Sequence, residues 1–499
     1  MKISIISNKS RLTVKIFILL IVSIIVMSFN IHRVLNNLGN LSTVGIINQE
    51  KPLFPYNNIN KNVKSDLNKL NKEKERQKIQ NLKVLIKPDL DLKKELGNSF
   101  FDSINYLSNI KNTTFDWTSA LPISPPPVSV KKAGAQSFLF DDLHHYSPSN
   151  GDYELRKAII SKFRKDGIKA DHNNILVHTS VFEILENIYF TVNWAANDSI
   201  LIPVPTFGYY ASQAAYHKIK VQFIKTSQQS NWKINSKDLD EALQKTKSKI
   251  FLFTNPVNPT GVVYTKEEVE KLAQVFKKHG TIVIADEIFK DIILKGEQTP
   301  FSIGAIEGME DLTITLNGVG KSMGLAGLRV SYAHVPHWLI TKLPKPLCGL
   351  SKPAEKAAIE ALKDNLENRT YFKKVKQKYI EKTDTIKTYL KIIDKELNRK
   401  FTNKSSVAGS FAKLYLEAYS TNVALLQFPG VKGKFTHDKQ INTSLDLAYY
   451  LYEKAGVALV PGEASFIEGK EMVLRIPLSA KNLKEGLAKI KTALLHLDN

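Results

Sequence analysis

The stretch TIVIADEIF at residues 281–289 is an apolar, β-branched run that ends at two carboxylates, Asp286 and Glu287. A short run of this kind is typical of a strand buried inside a sheet. Asp286 could be a helix cap or a surface acid, but its place at the end of a buried strand argues against both. We therefore predict a functional carboxylate at the edge of a central sheet.

Strand-like and helix-like runs alternate on both sides of this stretch. Further strands are predicted at residues 175–177, 199–202, 221–224, 250–253, 312–316 and 328–333. Helices are predicted at residues 182–192 and 265–279, and Thr265 and Glu268 have the spacing of a capping box. The alternation predicts an α/β fold with a mainly parallel central sheet flanked by helices. Such sheets bind ligands beyond the carboxyl ends of their strands.

The composition divides the chain into five predicted segments. Residues 346–499 read as a smaller α+β domain, and the large domain precedes it at residues 151–345. Residues 100–150 form an N-terminal arm and part of the small domain. Residues 34–99 are a lysine-rich, loosely ordered tether, and residues 1–33 are an apolar anchor or signal segment.

The N-terminal segment contains the apolar run IFILLIVSIIVMSF at residues 16–29, preceded by basic residues. With its flanks it covers residues 14–31, near the lower limit of a membrane span. No small-residue cleavage site follows, which favours an uncleaved helical anchor over a signal peptide. We expect membrane association through this segment and an otherwise cytoplasmic protein. The positive-inside rule instead places the body across the membrane, and a start at Met27 would remove the segment.

Lysine and arginine exceed aspartate and glutamate by 22 charges, which raises the question of nucleic acid. The excess lies largely in the tether and in general lysine richness, and the sequence has no zinc spacing or aromatic RNA-binding motif. We expect a solvated basic surface and no nucleic-acid partner. A single cysteine, Cys348, excludes an internal disulfide framework.

Two further motifs are predicted to follow neighbouring strands. NPVNPTG occupies residues 255–261, and GKSMGLAGLR occupies residues 320–329. The second surrounds Lys321 with glycines, which indicates either close approach of a bulky group or a flexible turn with a solvated lysine. If the strand ends share one crevice, then Asn258, Asp286, Lys321 and Arg329 meet there.

In this order and spacing, NPVNPTG, ADEIF and GKSMGLAGLR resemble the class I/II aminotransferases, which are pyridoxal-phosphate enzymes with the PLP-dependent transferase fold type I. The resemblance covers roughly residues 100–499. It implies that Lys321 holds the cofactor as a Schiff base and moves a proton. It also implies that Asp286 keeps the pyridine nitrogen protonated, that Asn258 donates to the phenolic oxygen, and that Arg329 binds the phosphate.

Five more residues match the family less closely. Phe207 matches the aromatic residue that stacks on the pyridine ring, although it could be an ordinary core residue. Arg475 matches the arginine that binds the substrate α-carboxylate, although it could be structural. Tyr146 matches a tyrosine that reaches the phosphate in the neighbouring subunit, which implies a homodimer with shared active sites. Ser180 and Val181 lie where a helix N-terminus binds phosphate.

The sequence also departs from the family pattern. Phe289 replaces a tyrosine whose hydroxyl supports the phenolic oxygen, and phenylalanine cannot donate a hydrogen bond. Gly318 and Gly320 replace serines. Ser180, Val181 and Phe182 replace Gly-Ala-Thr at the phosphate-binding helix. We expect a weaker hold on the phosphate, with cofactor binding retained.

The resemblance implies an aminotransferase that moves an amino group from an amino acid to a 2-oxo acid. Two alternatives remain open from the residues. One is an elimination or cyclisation enzyme of the lyase or cyclase type on the same fold. The other is a non-catalytic module that keeps the fold for binding, which the intact set of Lys321, Asp286, Asn258 and Arg329 disfavours.

Overall fold

The computed structural model describes residues 91–499, apart from residues 112, 140, 297–299, 346–347, 403–409 and 438. The predicted anchor at residues 1–33, including residues 14–31, lies outside the described part of the chain, as does most of the tether. Among the described helices, none is long and apolar enough to cross a membrane.

A seven-stranded sheet forms the centre of the described fold, in the order β2-β8-β7-β6-β5-β3-β4. Its strands are β2 (Ile175–His178), β3 (Ser199–Val204), β4 (Lys220–Lys225), β5 (Ile250–Thr254), β6 (Ile282–Asp286), β7 (Thr313–Gly318) and β8 (Ser331–His334). Among the described strands of this sheet, β8 runs antiparallel to both β2 and β7, and every other pair is parallel. The prediction of a mainly parallel central sheet is therefore confirmed.

One predicted strand is shorter than expected. Residues 328–333 were expected to be extended, but Ala326–Leu328 forms a 3-10 turn and β8 begins only at Ser331. Arg329 lies between them with a left-handed φ of 56°. A residue in the left-handed conformation interrupts the extended backbone of a strand, so β8 cannot continue back through Arg329.

Helices cover both faces of the central sheet. They are α1 (Leu92–Leu96), α2 (Asn98–Ser108), α3 (Val128–Gln136), α4 (Tyr153–Lys165), α5 (Val181–Thr191), α6 (Tyr209–Tyr216), α7 (Ser236–Thr246), α8 (Lys266–His279), α9 (Val319–Ser322), α10 (His337–Ile340) and α11 (Lys352–Leu362). Helix α5 packs apolar residues on one face of the sheet, and α8 packs on the other. Because alternate residues of β5 and β6 enter these two cores, both strands are apolar up to their last residues, Thr254 and Asp286.

A second, four-stranded sheet lies in the C-terminal part of the chain, in the order β12-β13-β10-β9. Its strands are β9 (Lys413–Leu414), β10 (Val423–Gln427), β12 (Val460–Pro461) and β13 (Val473–Pro477), and β1 (Phe115–Asp116) pairs separately with β11 (Val457–Ala458). The long helix α12 (Leu366–Phe401) packs here with α13 (Ser444–Ala455) and α14 (Leu483–Leu494). This matches the expected α+β segment, while the exact division at residue 345 stays a prediction.

The capping box predicted at Thr265 is present. The Thr265 hydroxyl accepts a hydrogen bond from the Glu268 N–H at 3.2 Å, and the Glu268 carboxylate accepts one from the Thr265 N–H at 2.7 Å. These bonds satisfy backbone donors that the first turn of α8 would otherwise leave unpaired. Gly280 ends the same helix in a left-handed conformation with φ 61°.

We predict that Thr265→Ala lowers the free energy of unfolding by about 1 kcal/mol, because it removes an N-cap acceptor. Thr388→Ala is the matched control, since Thr388 is exposed in the interior of α12, where alanine is the better helix former. Urea unfolding of both variants would measure the difference. Equal stability of the two variants would contradict the capping argument.

Candidate active site

The carboxyl ends of three adjacent parallel strands bring the sequence motifs together. Thr254 of β5 pairs with Asp286 of β6, which in turn pairs with Leu316 of β7. The Asn255 N–H donates to the Asp286 carbonyl oxygen at 3.2 Å, so the NPVNPTG loop begins directly beside the aspartate. The carboxyl ends of β5, β6 and β7 therefore lie side by side at one edge of the sheet, as the sequence predicts.

The Asp286 carboxylate is buried, with 3% of the residue exposed. It accepts a hydrogen bond from the Tyr210 hydroxyl at 2.6 Å and another from the Ile288 N–H at 2.9 Å. Burial raises the pKa of Asp286, while the two hydrogen bonds and the positive charge of Lys321 act in the opposite direction. The two hydrogen bonds thus fix the orientation of the carboxylate, which can pair with a cationic group.

The second carboxylate, Glu287, has a different environment. It is also buried, but it pairs with the Lys290 ammonium at 2.9 Å and accepts from the Ser302 hydroxyl at 2.6 Å. Lys290 also lies 3.4 Å from the Asp166 carboxylate. Glu287 therefore belongs to an internal ion-pair network, and Asp286 is the carboxylate of the site.

The Lys321 amine lies in α9, immediately after β7, and donates to the Ala120 carbonyl oxygen at 2.8 Å. Burial lowers the pKa of Lys321 to about 8, and the positive charges of Arg475 and Arg329 contribute, while Asp286 opposes them. A lysine with this pKa is partly neutral near physiological pH. Only the neutral amine has the lone pair needed to attack a carbonyl carbon.

Arg475 lies in the middle of β13 with 8% of its surface exposed. One terminal nitrogen, Nη2, donates to the Thr118 carbonyl oxygen at 2.7 Å, while the buried Nε has no hydrogen-bond partner among the described residues. Burial lowers the pKa of Arg475 to about 10. A buried guanidinium with an unused donor is suited to a carboxylate ligand.

Asn258 follows β5 in the NPVNPTG loop. Its buried side-chain oxygen, Oδ1, has no hydrogen-bond partner within the described residues. The loop is held by the Gly261 N–H, which donates to the Val257 carbonyl at 2.6 Å, and by the Val257 N–H, which donates to the Val262 carbonyl at 3.0 Å. The amide therefore has hydrogen-bonding capacity that a ligand could use.

Aromatic rings surround the start of α6. The Phe207 ring lies 5.9 Å from the Tyr210 ring, and Phe182 contacts both Phe207 at 5.9 Å and Tyr209 at 4.6 Å. Phe207 is thus linked through Tyr210 to Asp286. Sequence reasoning missed Tyr210, and the only signal was its place three residues after Phe207 in VPTFGYY.

The expected phosphate-binding end of α5 is altered in structure as well as in sequence. The Ser180 hydroxyl accepts from the Phe182 N–H at 3.2 Å as the helix cap, and Val181 is buried. The Thr179 hydroxyl donates to the Glu183 carboxylate in the first turn. A phosphate here would meet a helix N-terminus whose Phe182 and Glu183 N–H groups already have partners, and also a nearby carboxylate.

Three of the predicted site residues lie apart from this cluster or at its margin. Arg329 is exposed and donates to the Ala326 carbonyl at 3.3 Å, although its charge still acts on Lys321. Tyr146 is 87% exposed. Phe289 is buried in the apolar core around the second sheet.

Packing within the protein requires some, but not all, of the glycines near Lys321. Gly324 has φ 70°, and a Cβ there would lie 2.4 Å from the Ser124 carbonyl oxygen. Gly327 has no neighbour within 4 Å of such a Cβ. Close backbone approach therefore explains Gly324, whereas open space beside Gly327 leaves room for a ligand.

Comparison with known proteins gives the chain a family. The model of the family "Aminotransferase class I and II" matches residues 115–490. The chain belongs to this family. It is a pyridoxal-phosphate-dependent aminotransferase, whose substrates are an amino acid and a 2-oxo acid.

Individual relatives agree with this assignment. The aminotransferase is 28% identical over 371 residues to the asparagine–oxo-acid transaminase of Streptococcus mutans, covering 73% of this chain and 87% of that protein. It is 30% identical over 216 residues to aromatic-amino-acid aminotransferase 2 of Thermococcus litoralis, covering 42% of this chain and 54% of that protein. An aspartate aminotransferase structure from Rhizobium meliloti shares the fold, with TM-score 0.69, 22% identity and coverage of 83% and 100%.

The residues of the aminotransferase fit pyridoxal phosphate by their chemistry. A partly neutral lysine amine can bind an aldehyde, and a buried carboxylate can pair with a protonated ring nitrogen. The unpaired Oδ1 of Asn258 and the unpaired Nε of Arg475 show that polar groups here lack partners within the described protein. A substrate carboxylate would supply the acceptor that Arg475 Nε lacks, whereas Asn258 Oδ1 is itself an acceptor and would need a donor from a ligand.

We predict that, in the cofactor-free aminotransferase, Lys321 titrates with a pKa of about 8. Arg475→Met raises this pKa, because removing a nearby positive charge stabilises the protonated amine. Competitive acetylation across a pH series, with the Lys321 peptide quantified by mass spectrometry, would measure both values. Arg369→Met is the control, because Arg369 lies on the surface beside Asp364. An unchanged midpoint in Arg475→Met would contradict the electrostatic argument.

Proposed function

We propose that the chain carries out transamination at the cluster described above, with pyridoxal phosphate bound covalently to Lys321. The observation that carries the proposal is the coupling of a low-pKa lysine to a buried, hydrogen-bonded aspartate and a buried arginine. When bound, pyridoxal phosphate supplies an aldehyde that accepts the amino group and a ring that withdraws electrons.

Lys321 has two proposed tasks. Its neutral amine would hold the cofactor by its aldehyde, and the same amine would move a proton at the substrate Cα. A pKa of about 8 suits this work, because the amine can gain and release a proton near neutral pH. The carbonyl of Ala120, which now accepts its hydrogen bond, fixes where the amine rests.

Asp286 is proposed to pair with the ring nitrogen, and Tyr210 is proposed to position it. The 2.6 Å hydrogen bond from the Tyr210 hydroxyl fixes one carboxylate oxygen, and the Ile288 N–H fixes the other. Because both bonds favour the ionised form, they help to keep Asp286 negative in a buried place. A negative Asp286 keeps a nearby ring nitrogen protonated.

Substrate recognition is assigned to Arg475, and cofactor contacts to Asn258, Phe207, Arg329 and the Ser180–Val181 helix start. The guanidinium of Arg475 would bind the α-carboxylate that donor and acceptor substrates share. Phe289, also named as a cofactor neighbour from the sequence, can offer only apolar contact. The relatives named above suggest asparagine, aspartate and aromatic amino acids as donors to test.

We predict that borohydride reduction traps pyridoxal phosphate on Lys321 in the wild-type protein and leaves no such adduct in Lys321→Ala. Transamination should fall by about 10²–10⁴-fold in the variant, because a proton-transfer group is lost. Lys374→Ala is the control, since Lys374 is exposed on α12. The measurements are peptide mass spectrometry and the appearance of a 2-oxo acid from each donor.

Two outcomes would contradict this proposal. An adduct on another lysine would overturn the assignment of Lys321. Release of free ammonia without conversion of the added 2-oxo acid would show elimination in place of transamination.

We also propose a homodimer in which Tyr146 acts in the partner's active site. Tyr146 is 87% exposed, and the neighbouring apolar residues Phe138 and Leu139 are 68% and 82% exposed. An exposed apolar cluster of this kind is typical of a protein–protein interface. Contact with a second copy would bury these side chains.

Mixed dimers test this arrangement. We predict that Tyr146→Ala and Lys321→Ala homodimers are each impaired, while a hybrid of the two regains up to half of wild-type activity. One site of the hybrid then combines Lys321 of one subunit with Tyr146 of the other. A wild-type/Lys321→Ala hybrid sets the upper limit. Absence of recovery would place Tyr146 in its own subunit's site, and an unimpaired Tyr146→Ala homodimer would place it outside both sites.

Membrane association through residues 14–31, with an otherwise cytoplasmic protein, remains a proposal from the sequence. These residues lie outside the described part of the chain. The apolar run and its basic flank support it. Fractionation of the full chain beside a chain that starts at Met27 would test it.

A further inference from the structure

The backbone segment Thr118–Ala120 contacts two cations of the candidate active site. The Thr118 carbonyl accepts a hydrogen bond from Arg475 Nη2 at 2.7 Å, and the Ala120 carbonyl accepts one from Lys321 Nζ at 2.8 Å. Just before this segment, β1 pairs with β11. The chain therefore leaves a paired strand and enters the site, where its carbonyls fix the resting positions of the guanidinium and the amine.

A third side chain, that of Asn422, reaches the same segment. Its Nδ2 donates to the Ala120 carbonyl at 3.2 Å, so one oxygen accepts from both Asn422 and Lys321. Among the hydrogen bonds of the described residues, those that join Thr118–Ala120 to distant parts of the chain come from Arg475, Lys321 and Asn422. The first two side chains have proposed tasks toward substrate and cofactor, whereas Asn422 has none.

Asn422 is held firmly at the start of the second sheet. It is fully buried, its carbonyl accepts from the Leu478 N–H at 2.8 Å, and β10 begins at the next residue. Strand β10 pairs with β13, where Leu425 lies opposite Arg475. The sheet that carries Arg475 therefore also fixes Asn422, and the amide of Asn422 links that sheet to the Ala120 carbonyl.

Stability alone does not explain an asparagine at position 422. Its Oδ1 is buried and has no hydrogen-bond partner among the described residues. A buried amide oxygen without a partner is unfavourable, and a leucine of similar size would avoid that cost. The hydrogen bond from Nδ2 to Ala120 is therefore the feature that accounts for this residue.

We propose that Asn422 is a positioning residue for Lys321, acting through the Ala120 carbonyl that both side chains share. When the Lys321 amine binds the cofactor aldehyde, it leaves this carbonyl. Asn422 then keeps the carbonyl paired and in place, so that the freed amine returns to the same position. This last step rests on the proposed function, whereas the effect of Asn422 on the resting amine does not.

Competitive acetylation of the cofactor-free full chain tests the effect on the resting amine. Asn422→Leu should lower the pKa of Lys321 by about one unit, because the ammonium form loses stabilisation when the carbonyl that accepts from it is no longer fixed. Asn174→Leu is the matched control. Asn174 is a buried asparagine whose Nδ2 bonds to the Lys169 carbonyl at 3.4 Å, but it lies at the amino end of β2, away from the site. Its replacement should leave the pKa of Lys321 unchanged.

Kinetics of the cofactor-loaded enzyme give a second measurement. Asn422→Leu should lower kcat by about three- to tenfold, because proton transfer requires an amine in a fixed position. It should change KM by less than about twofold, since Arg475 keeps its own contact with the segment through Thr118. Asn174→Leu should leave both constants near their wild-type values.

Two results would overturn the inference. One is a wild-type titration midpoint of Lys321 in folded Asn422→Leu, and the other is an equal shift of that midpoint in Asn174→Leu. Circular dichroism checks folding, and Asn422→Ala replaces the leucine variant if leucine is not accommodated. If the wild-type protein shows no transamination, the proposed function fails, but the acetylation midpoints still decide whether Asn422 positions Lys321.

Discussion

The structure depends on placing a carboxylate, Asp286, at the buried end of a central strand. An isolated carboxylate in such a place would be strongly destabilising. Two hydrogen bonds, from Tyr210 and from the Ile288 N–H, together with the charge of Lys321, offset that cost. Each of these partners comes from a different part of the chain, so the carboxylate fixes α6, β6 and α9 relative to one another.

The same site holds more positive than negative charge. The positive charges of Arg475 and Arg329 lower the pKa of Lys321, and the negative charge of Asp286 raises it. Burial and the two arginine charges lower the pKa of the amine, and Arg475 keeps an unused Nε donor. A phosphate and a substrate carboxylate are anions that restore the balance. Ligand binding is therefore favoured by electrostatics that the protein alone leaves incomplete.

The sequence predicts the strand ends well, because apolar runs and the parallel topology locate them without long-range information. Asp286, Lys321 and Asn258 are found this way. Tyr210 is not, since a tyrosine in an apolar segment is typical of any core. The bond from Lys321 to Ala120 spans 201 residues, and the shortened strand before Ser331 depends on one left-handed residue. Neither is encoded in a local pattern.

Phe289 shows how a lost hydroxyl is accommodated. Its ring packs in the core around the second sheet, and its carbonyl accepts from the Ser420 hydroxyl at 3.1 Å. Phe289 thus links the end of β6 to Ser420, whose N–H donates to the Gly261 carbonyl of the NPVNPTG loop at 3.0 Å. Tyr210 supplies a nearby hydroxyl, but it donates to Asp286 and so orients the carboxylate. In the proposed function, Asn258 is the side chain assigned to the cofactor's phenolic oxygen, and Phe289 cannot share that task, so the rigidity of the Asn258 loop would be more important here.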